Sequence, residues 1–193
     1  LRQVNQMSFY REMIAAGFGG QGIMLLGQII AHAAMNDGKN VIWIPSYGPE
    51  MRGGTANCSV VVSDGEIASP LISSPDILVV MNQPSLAKFV NRLKKGGTLV
   101  YNTDLVTYDN PRDDINIVGV NANSIALELG NERVANIVVL GVLGEVTDMA
   151  SVESLREALK ELLGAKKASL LEINIKAFEK GQEIGKQHVI QAK

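Results

Sequence analysis

The chain has 193 residues and a formal net charge of −2 at pH 7, with 46% apolar and 20% charged residues. This length suits a full hydrophobic core, and the composition is ordinary for a soluble globular protein. The charge gives no electrostatic basis for nucleic-acid binding, and no apolar run approaches the roughly 20 residues of a membrane span. The single cysteine, Cys58, excludes an internal disulfide and an iron–sulfur cluster held by this chain alone, which favours a cytoplasmic location.

Residues 1–10 are interpreted as an N-terminal extension and residues 11–190 as a single domain. Residues 12–16 predict an apolar strand, residues 22–35 a helix, and residues 41–44 a second strand. The helix is expected to end at the turn Asn36-Asp37-Gly38, which accepts left-handed backbone conformations. This strand–helix–strand order predicts a parallel βαβ unit.

An antiparallel element is predicted next, because residues 56–62 and 66–71 flank Ser63-Asp64-Gly65, a hairpin-turn signal. Further strands are predicted over 77–81, 98–101 and 115–120, with an amphipathic helix over 84–93. Helices are predicted over 124–129, 134–145, 151–163 and 167–186, with Ser151 as an N-cap. The predicted fold is therefore α/β, a three-layer Rossmann-like mixed sheet with an inserted β-hairpin and C-terminal helices.

A glycine-rich turn, Gly17-Phe18-Gly19-Gly20-Gln21-Gly22, joins the first strand to the first helix. Backbone amides at a helix N-terminus favour an anion, and glycines let a phosphate come close. Such turns also occur where a strand packs tightly on its helix or where another subunit approaches. Both interpretations stay open, and Gly19→Val is expected to disturb the turn under either one.

The sequence argues against a nicotinamide site. A dinucleotide-binding fold needs a carboxylate near the end of the second strand for the ribose hydroxyls. That strand ends instead in Ser46 and Tyr47, and Asp37 lies before it. A stand-alone nucleotide-dependent oxidoreductase is therefore disfavoured, although the phosphate-binding type of turn is present.

A second loop, residues 45–54, follows the second strand and carries an aromatic ring, an acid and a cation at Tyr47, Glu50 and Arg52. At the carboxyl end of a strand, these groups suit a ligand or an interface, although an internal Glu50–Arg52 ion pair is the alternative. The candidate contact residues of the two motifs are Gly17, Gly19, Gly20, Gln21, Gly22, Ser46, Tyr47, Glu50, Met51, Arg52, Gly53 and Gly54.

No other residue set indicates catalysis or metal binding. Cys58 is expected to be a buried apolar residue, and His32 and His188 lack metal-ligand spacing. Asp113 and Asp114 are interpreted as a solvated turn rather than an acid/base couple. We expect no catalytic residue and no metal site in this chain.

The two motifs together, residues 17–22 and 45–58, resemble the gamma subunit of 2-oxoacid:ferredoxin oxidoreductases, and residues 67–70 also match that pattern. Within this family the sequence of these motifs is most similar to that of 2-oxoglutarate:ferredoxin oxidoreductase (2-oxoglutarate synthase). The resemblance covers about residues 12–185.

The resemblance implies a subunit of an enzyme that converts a 2-oxoacid and coenzyme A to acyl-CoA and CO2, with electrons passing to ferredoxin. Alpha, beta and sometimes delta subunits hold thiamine diphosphate, Mg²⁺ and the iron–sulfur clusters, and the gamma subunit packs on the catalytic chains and helps to cover the coenzyme A site. Nucleic acid and membrane are not expected partners.

Several alternatives remain. Pyruvate, branched-chain and indolepyruvate members of the same family share the layout, so the oxoacid is open. A stand-alone nucleotide- or coenzyme A-binding module is the alternative outside the family.

Overall fold

The computed structural model describes residues 9–46, 55–164 and 168–191. Within them the chain forms six strands and six α-helices. The strands are β1 (Tyr10–Phe18), β2 (Asn40–Ser46), β3 (Thr55–Ser63), β4 (Ile77–Val80), β5 (Thr98–Asn102) and β6 (Asn116–Val120). The helices are α1 (Ile23–Asn36), α2 (Gln83–Phe89), α3 (Ala122–Glu128), α4 (Ala135–Val146), α5 (Val152–Gly164) and α6 (Ala168–Gln191).

The strands form one mixed sheet in the order β2-β3-β1-β4-β5-β6. Strands β1, β4, β5 and β6 are mutually parallel, whereas β3 is antiparallel to both of its neighbours, β1 and β2. The predicted fold class, an α/β fold with a mixed sheet, is confirmed.

The predicted hairpin is wrong in its pairing. The strand predicted over 56–62 is present as β3, but residues 66–71 form no strand. Because β3 is hydrogen-bonded along both edges, to β1 and to β2, it offers no free edge to a further strand. The antiparallel pairings of β3 are instead with β2, which precedes it across the second loop, and with β1.

The predicted βαβ unit is correct in that its two strands, β1 and β2, are parallel, but the two strands are not neighbours in the sheet. Strands β1 and β2 precede and follow α1 in the chain and run parallel, yet β3 lies between them in the sheet. Residues such as Val60 and Val61 are buried on opposite faces of β3, so β3 takes an inner position in the sheet.

Side chains alternate between two cores, as the period of a strand requires. On β1, Met13 and Ala15 pack into the core beneath α1, α4, α5 and α6. Ile14 and Ala16 face the other core, which α2 and a short 3-10 turn cover. The sheet therefore lies between two helical layers, of which the one containing α1 and α4 is larger.

The helices lie close to their predicted spans, and Ser151 caps α5 as predicted, since the Ser154 amide donates to Ser151 Oγ at 3.2 Å. The first nine of the twelve residues of α4 are buried, because α6 packs along it and α1, α3 and α5 also contact it. Among the described residues, no helix has both the length and the apolar character that a membrane crossing needs.

Candidate functional site

The two sequence motifs lie at the same edge of the sheet. In the strand register Phe18 is opposite Thr55, and Ser46 is opposite Asn57. The glycine turn and both ends of the second loop are therefore anchored at the carboxyl ends of β1 and β2. The remaining candidates of the second loop, Tyr47, Glu50, Met51, Arg52, Gly53 and Gly54, lie outside the described residues.

The glycine turn has two residues in the left-handed region. Gly20 has φ of 93° and Gly22, the N-cap of α1, has φ of 73°. The Gln21 amide donates to the Phe18 carbonyl at 3.2 Å and closes the turn. Glycine adopts these dihedral angles without strain, so the conformation of the turn explains Gly20 and Gly22 before any ligand is considered.

The Gln21 side chain fastens the turn to the sheet. Its Oε1 accepts from the Phe18 amide at 2.6 Å, and its Nε2 donates to the Met81 carbonyl at 3.0 Å, at the end of β4. A Cβ on Gly17 would lie 2.7 Å from Gln21 Oε1, so Gly17 is needed for this close approach. Gln21 and Gly17 thus have a structural role in the turn.

Gly19 does not fit the expectation that a side chain there would disturb the turn. Among the described residues, a Cβ on Gly19 would have no atom within 4 Å, and Gly19 is not among the glycines with positive φ. Gly22, by contrast, cannot accept a side chain, because a Cβ there would overlap the carboxamide of Asn136. No described residue would contact a Cβ at Gly19 or Gly20, which is compatible with a contact surface there.

A cavity of about 180 Å³ lies beside the turn. Gly20, Gln21, Met81, Asn123, Glu132, Arg133, Ala135 and Asn136 line it. The N-terminus of α1 and the start of α4 thus meet around one space. Sequence reasoning missed Arg133 and Asn136; the signal for Asn136 was a polar residue at the start of an otherwise apolar run.

Asn136 is buried and joins α4 to the glycine turn. Its Nδ2 donates to the Gly22 carbonyl at 3.1 Å, while its Oδ1 is buried and has no hydrogen-bond partner among the described residues. The cavity therefore lies beside a helix N-terminus, which favours an anion, and Asn136 is one of its lining residues. Its two charged groups are the exposed side chains of Arg133 and Glu132.

Asp37 is the carboxylate whose distance along the sequence from the glycine turn comes nearest to that of a ribose-binding acid, but its hydrogen bonds are to residues of this chain. It accepts from the Ser151 amide, Ser151 Oγ and Ser154 Oγ at 2.5, 2.8 and 2.6 Å. Burial acts to raise the pKa of Asp37, but these hydrogen bonds and the charge of Lys39 outweigh it, so its pKa lies below 3.8. Asp37 therefore links the end of α1 to the start of α5.

The other candidate side chains also have structural surroundings. Cys58 is fully buried, as predicted, and burial raises the pKa of its thiol to about 11. His32 contacts Glu161 at 2.5 Å, and Asp114 pairs with Arg112 at 2.8 Å. The described part of the chain contains no group of three or more histidine, cysteine, aspartate or glutamate residues that could hold a metal ion.

Comparison with known proteins gives the family. Residues 12–184 match the family described as pyruvate ferredoxin/flavodoxin oxidoreductase. The chain belongs to this family.

Two relatives illustrate its range. The chain is 39% identical to the 2-oxoglutarate synthase subunit KorC of Methanothermobacter marburgensis, over 90% of this chain and 96% of that protein. It is 38% identical to the ketoisovalerate oxidoreductase subunit VorA of the same organism, over 90% of this chain. The chain spans only 36% of the length of that VorA subunit.

Solved structures agree with the fold. The gamma subunit of keto/oxoacid ferredoxin oxidoreductase from Geobacter sulfurreducens has a TM-score of 0.77 at 36% identity, over 91% of this chain and 98% of that one. The 2-oxoglutarate:ferredoxin oxidoreductase from Magnetococcus marinus, solved with 2-oxoglutarate, coenzyme A and succinyl-CoA bound, has a TM-score of 0.84 at 26% identity, over 92% of this chain and 31% of that one. The resemblance to gamma subunits is therefore confirmed.

Proposed function

We propose that this chain is the gamma subunit of a thiamine-diphosphate-dependent 2-oxoacid:ferredoxin oxidoreductase and supplies a contact surface rather than catalytic residues. One observation carries the proposal: both sequence motifs are anchored at a single edge of the sheet, in a chain of this family. The carboxyl edge of an open α/β sheet is where ligands and partners bind.

The proposed complex converts a 2-oxoacid, coenzyme A and two oxidised ferredoxins to acyl-CoA, CO2, two reduced ferredoxins and a proton. Thiamine diphosphate, when bound, supplies the carbanion chemistry of decarboxylation. A cysteine-ligated cluster requires several thiolates, and this chain has one cysteine, which is buried. The chain's residues do not fit a cluster, so we assign the clusters, thiamine diphosphate and its Mg²⁺ to the alpha, beta or delta partners.

The role of this chain in the complex is to pack on those partners and help to cover coenzyme A. Within residues 9–46, 55–164 and 168–191, nothing lies against Gly19 or Gly20, which leaves room for another molecule at the backbone there. The α1 N-terminus at the same place favours a phosphate. Arg52, in the second loop of the sequence, is suited to a second anionic group.

We propose 2-oxoglutarate as the oxoacid. The match to KorC covers nearly the full length of both proteins, whereas VorA is a much longer chain. Relatives named for ketoisovalerate, indolepyruvate and pyruvate/ketoisovalerate oxidoreductases also match, so pyruvate, branched-chain and indolepyruvate substrates are the alternatives for the test.

Affinity purification of the chain from its native cells tests the assembly. We expect co-purifying subunits that bring thiamine diphosphate and iron, and a reaction with 2-oxoglutarate and coenzyme A that reduces ferredoxin or a viologen dye. Faster turnover of another 2-oxoacid would correct the substrate. A chain that comes down alone with a nucleotide attached would contradict the proposal and favour the stand-alone binding module.

Arg52→Ala tests the second loop in the purified complex. A substitution in a loop predicted from the sequence usually costs within about 0.5 kcal/mol of stability, so the variant is expected to fold. Its complex should form less well or have a higher KM for coenzyme A. Lys160→Ala, an exposed cation on α5, is the control. Equal assembly and equal kinetics in the two variants would remove the second loop from the proposal.

A further inference from the structure

A charged cavity of about 460 Å³ lies at the amino ends of β1, β4 and β5, the edge of the sheet opposite the glycine turn. Arg11 of β1, residues 94–98 around the start of β5, and residues 145–148 at the end of α4 form most of its walls. This volume is typical of small-molecule sites. The chemistry of a ligand here depends on which of the charged side chains still lack a partner.

Most of these charges are paired within the chain. The Arg11 guanidinium donates to both carboxylate oxygens of Asp148, at 2.8 and 2.7 Å. The Lys94 ammonium donates to Glu12 and Asp76 at 2.9 and 3.0 Å. These pairs give the cavity a fixed wall, and the charge offered to a ligand comes from the other lining residues.

Glu145 is a largely buried carboxylate with a distant cation. Its side chain is 16% exposed, and its Oε1 accepts from Gln182 Nε2 at 2.9 Å. The cation that contacts it is the exposed Lys186, whose Nζ lies 3.8 Å from Oε1. Glu145 Oε2 accepts no hydrogen bond within the described part of the chain. Because a buried carboxylate needs close donors, and because a helix C-terminus also attracts positive charge, this end of α4 favours an ammonium group.

The opposite charge comes from Lys95, which is exposed. Its ammonium makes no hydrogen bond or ion pair with residues 9–46, 55–164 or 168–191, although its charge acts on Asp114 from further away. The hydroxyl of Thr98, which also lines the cavity, has no hydrogen-bond partner in the same ranges. An ammonium and a hydroxyl suit a carboxylate. The cavity therefore offers groups for both signs of charge.

A second, mainly apolar cavity of about 270 Å³ adjoins the first and shares Thr98, Glu145 and Val146 with it. Its lining is completed by Asn116, Val118, His188 and Val189. A molecule whose charged groups lie at Thr98 and Glu145 can therefore extend an apolar group between the valines.

We infer that these two cavities bind an α-amino acid with an aliphatic side chain. Its ammonium group lies against Glu145 and the C-terminus of α4, and its carboxylate lies against Lys95 and Thr98. Its side chain occupies the apolar cavity. The inference goes beyond the proposed function and does not depend on the subunit role of the chain.

A zwitterion fits these features better than a ligand with one charge does. A simple amine would leave Lys95 without a counter-ion, and a simple carboxylate would leave Glu145 with its distant lysine. An α-amino acid carries both groups on one carbon atom, next to its side chain. It can therefore satisfy both charges at the place where the two cavities meet.

The test is an NMR titration of the ¹⁵N-labelled full chain with L-leucine and two analogues. In 3-methylbutylamine the carboxylate is missing, and in 4-methylpentanoate the ammonium group is missing. Leucine is expected to shift the backbone amides of Lys95, Thr98 and Glu145, and each analogue should bind at least about tenfold more weakly. No shift at these amides with millimolar leucine would overturn the inference, and so would an analogue that binds as tightly as leucine.

Lys95→Gln tests the carboxylate position. This exposed substitution should weaken leucine binding about tenfold and leave binding of 3-methylbutylamine unchanged. Lys160→Gln, which removes an exposed cation from α5, is the charge-matched control. Equal leucine affinities in the two variants would overturn the inference.

Glu145→Gln tests the ammonium position, and glutamine can still accept from Gln182. The variant should weaken binding of leucine and 3-methylbutylamine but not of 4-methylpentanoate. A purely structural role of Glu145 would instead weaken all three ligands alike. Glu157→Gln, at an exposed position of α5, is the matched control and should bind leucine as the native chain does.

Discussion

The glycine turn shows how backbone conformation decides which glycine is required. Gly22 has a positive φ, and Asn136 occupies the space that a Cβ would need. Gly19 has neither constraint, although it belongs to the same G-x-G-x-x-G spacing. Sequence spacing identifies the turn, but it does not distinguish a glycine needed for conformation from one that leaves a surface open.

Gly22→Ala should destabilise the fold by about 2 kcal/mol, because a left-handed backbone conformation is strained for alanine and the Asn136 carboxamide must move. Gly19→Ala should stay within about 0.5 kcal/mol of the native protein. Urea unfolding of the two variants measures the difference. A Gly22→Ala variant as stable as Gly19→Ala would contradict the described turn.

The thiol of Cys58 should react slowly in the folded protein. Burial raises its pKa from 9.0 to about 11, so the thiolate fraction at pH 8 falls about 100-fold, before blocked access is counted. Because the unfolded thiol loses its proton first, this group should lower stability as pH rises from 9.0 toward 11. Iodoacetamide labelling with and without guanidinium measures the contrast, and similar rates would show that Cys58 is accessible.

Helices α4 and α6 pack at backbone distance. A Cβ on Gly181 would overlap the Val138 carbonyl oxygen, and one on Gly141 would overlap the Phe178 carbonyl oxygen. Such contact brings the helix backbones together and buries the apolar side chains of α4 on all sides. Glycine weakens an isolated helix, so here packing outweighs helix propensity.

Gly181→Ala should therefore destabilise the protein by about 1–3 kcal/mol, since an added methyl group must separate two helices. Gly164→Ala, at the end of α5, is the matched control, because the nearest described atom to its Cβ would be Leu171 Cδ2 at an ordinary 3.6 Å. Gly164→Ala should be neutral or slightly stabilising in thermal unfolding. Equal melting temperatures for the two variants would rule out the close contact of α4 and α6.

The joint between α1 and α5 depends on one carboxylate. Asp37→Ala removes the hydrogen bonds to Ser151 and Ser154 and should cost about 2 kcal/mol at pH 7. Since the folded pKa of Asp37 is lowered, this stability is present above pH 3.8 and is lost as pH falls through the folded pKa.

Urea unfolding at pH 7 and pH 3 checks this expectation, with the exposed Asp113→Ala as the charge-matched control. The gap between native protein and Asp37→Ala should shrink at the lower pH, whereas Asp113→Ala should stay near the native value. A gap that does not change with pH would mean that the charge of Asp37 contributes nothing to the joint.

At the scale of the whole molecule, the order of strands assembles the functional edge. The antiparallel β3 between β1 and β2 keeps both motif anchors at the carboxyl end of the sheet, with Phe18 opposite Thr55 and Ser46 opposite Asn57. A β3 paired with residues 66–71 alone would not hold β1 and β2 in this arrangement. The proposed contact surface therefore depends on a strand pairing that the hairpin signal did not predict.

The type and position of each helix and of most strands could be read from the chain, because apolar periodicity and caps are local properties. The hairpin prediction was wrong because Ser63-Asp64-Gly65 indicates a turn but does not specify which strand pairs with β3. Both partners of β3, which are β1 and β2, precede it in the chain. One half of the candidate site, the glycine turn, could be predicted from the spacing of its glycines. Asn136 was visible only as a polar interruption of an apolar run.

The sequence by itself determined the alternation of helices and strands, the two motifs and, through them, the family. Tertiary structure decided the strand order, the need for glycine at position 22 and the union of the turn with Asn136, which is 114 residues away. The physical reason is that periodicity and capping act within a few residues of the chain. The neighbours of β3 and the partner of the Gly22 carbonyl are fixed only when distant segments compete to bury the same apolar surface.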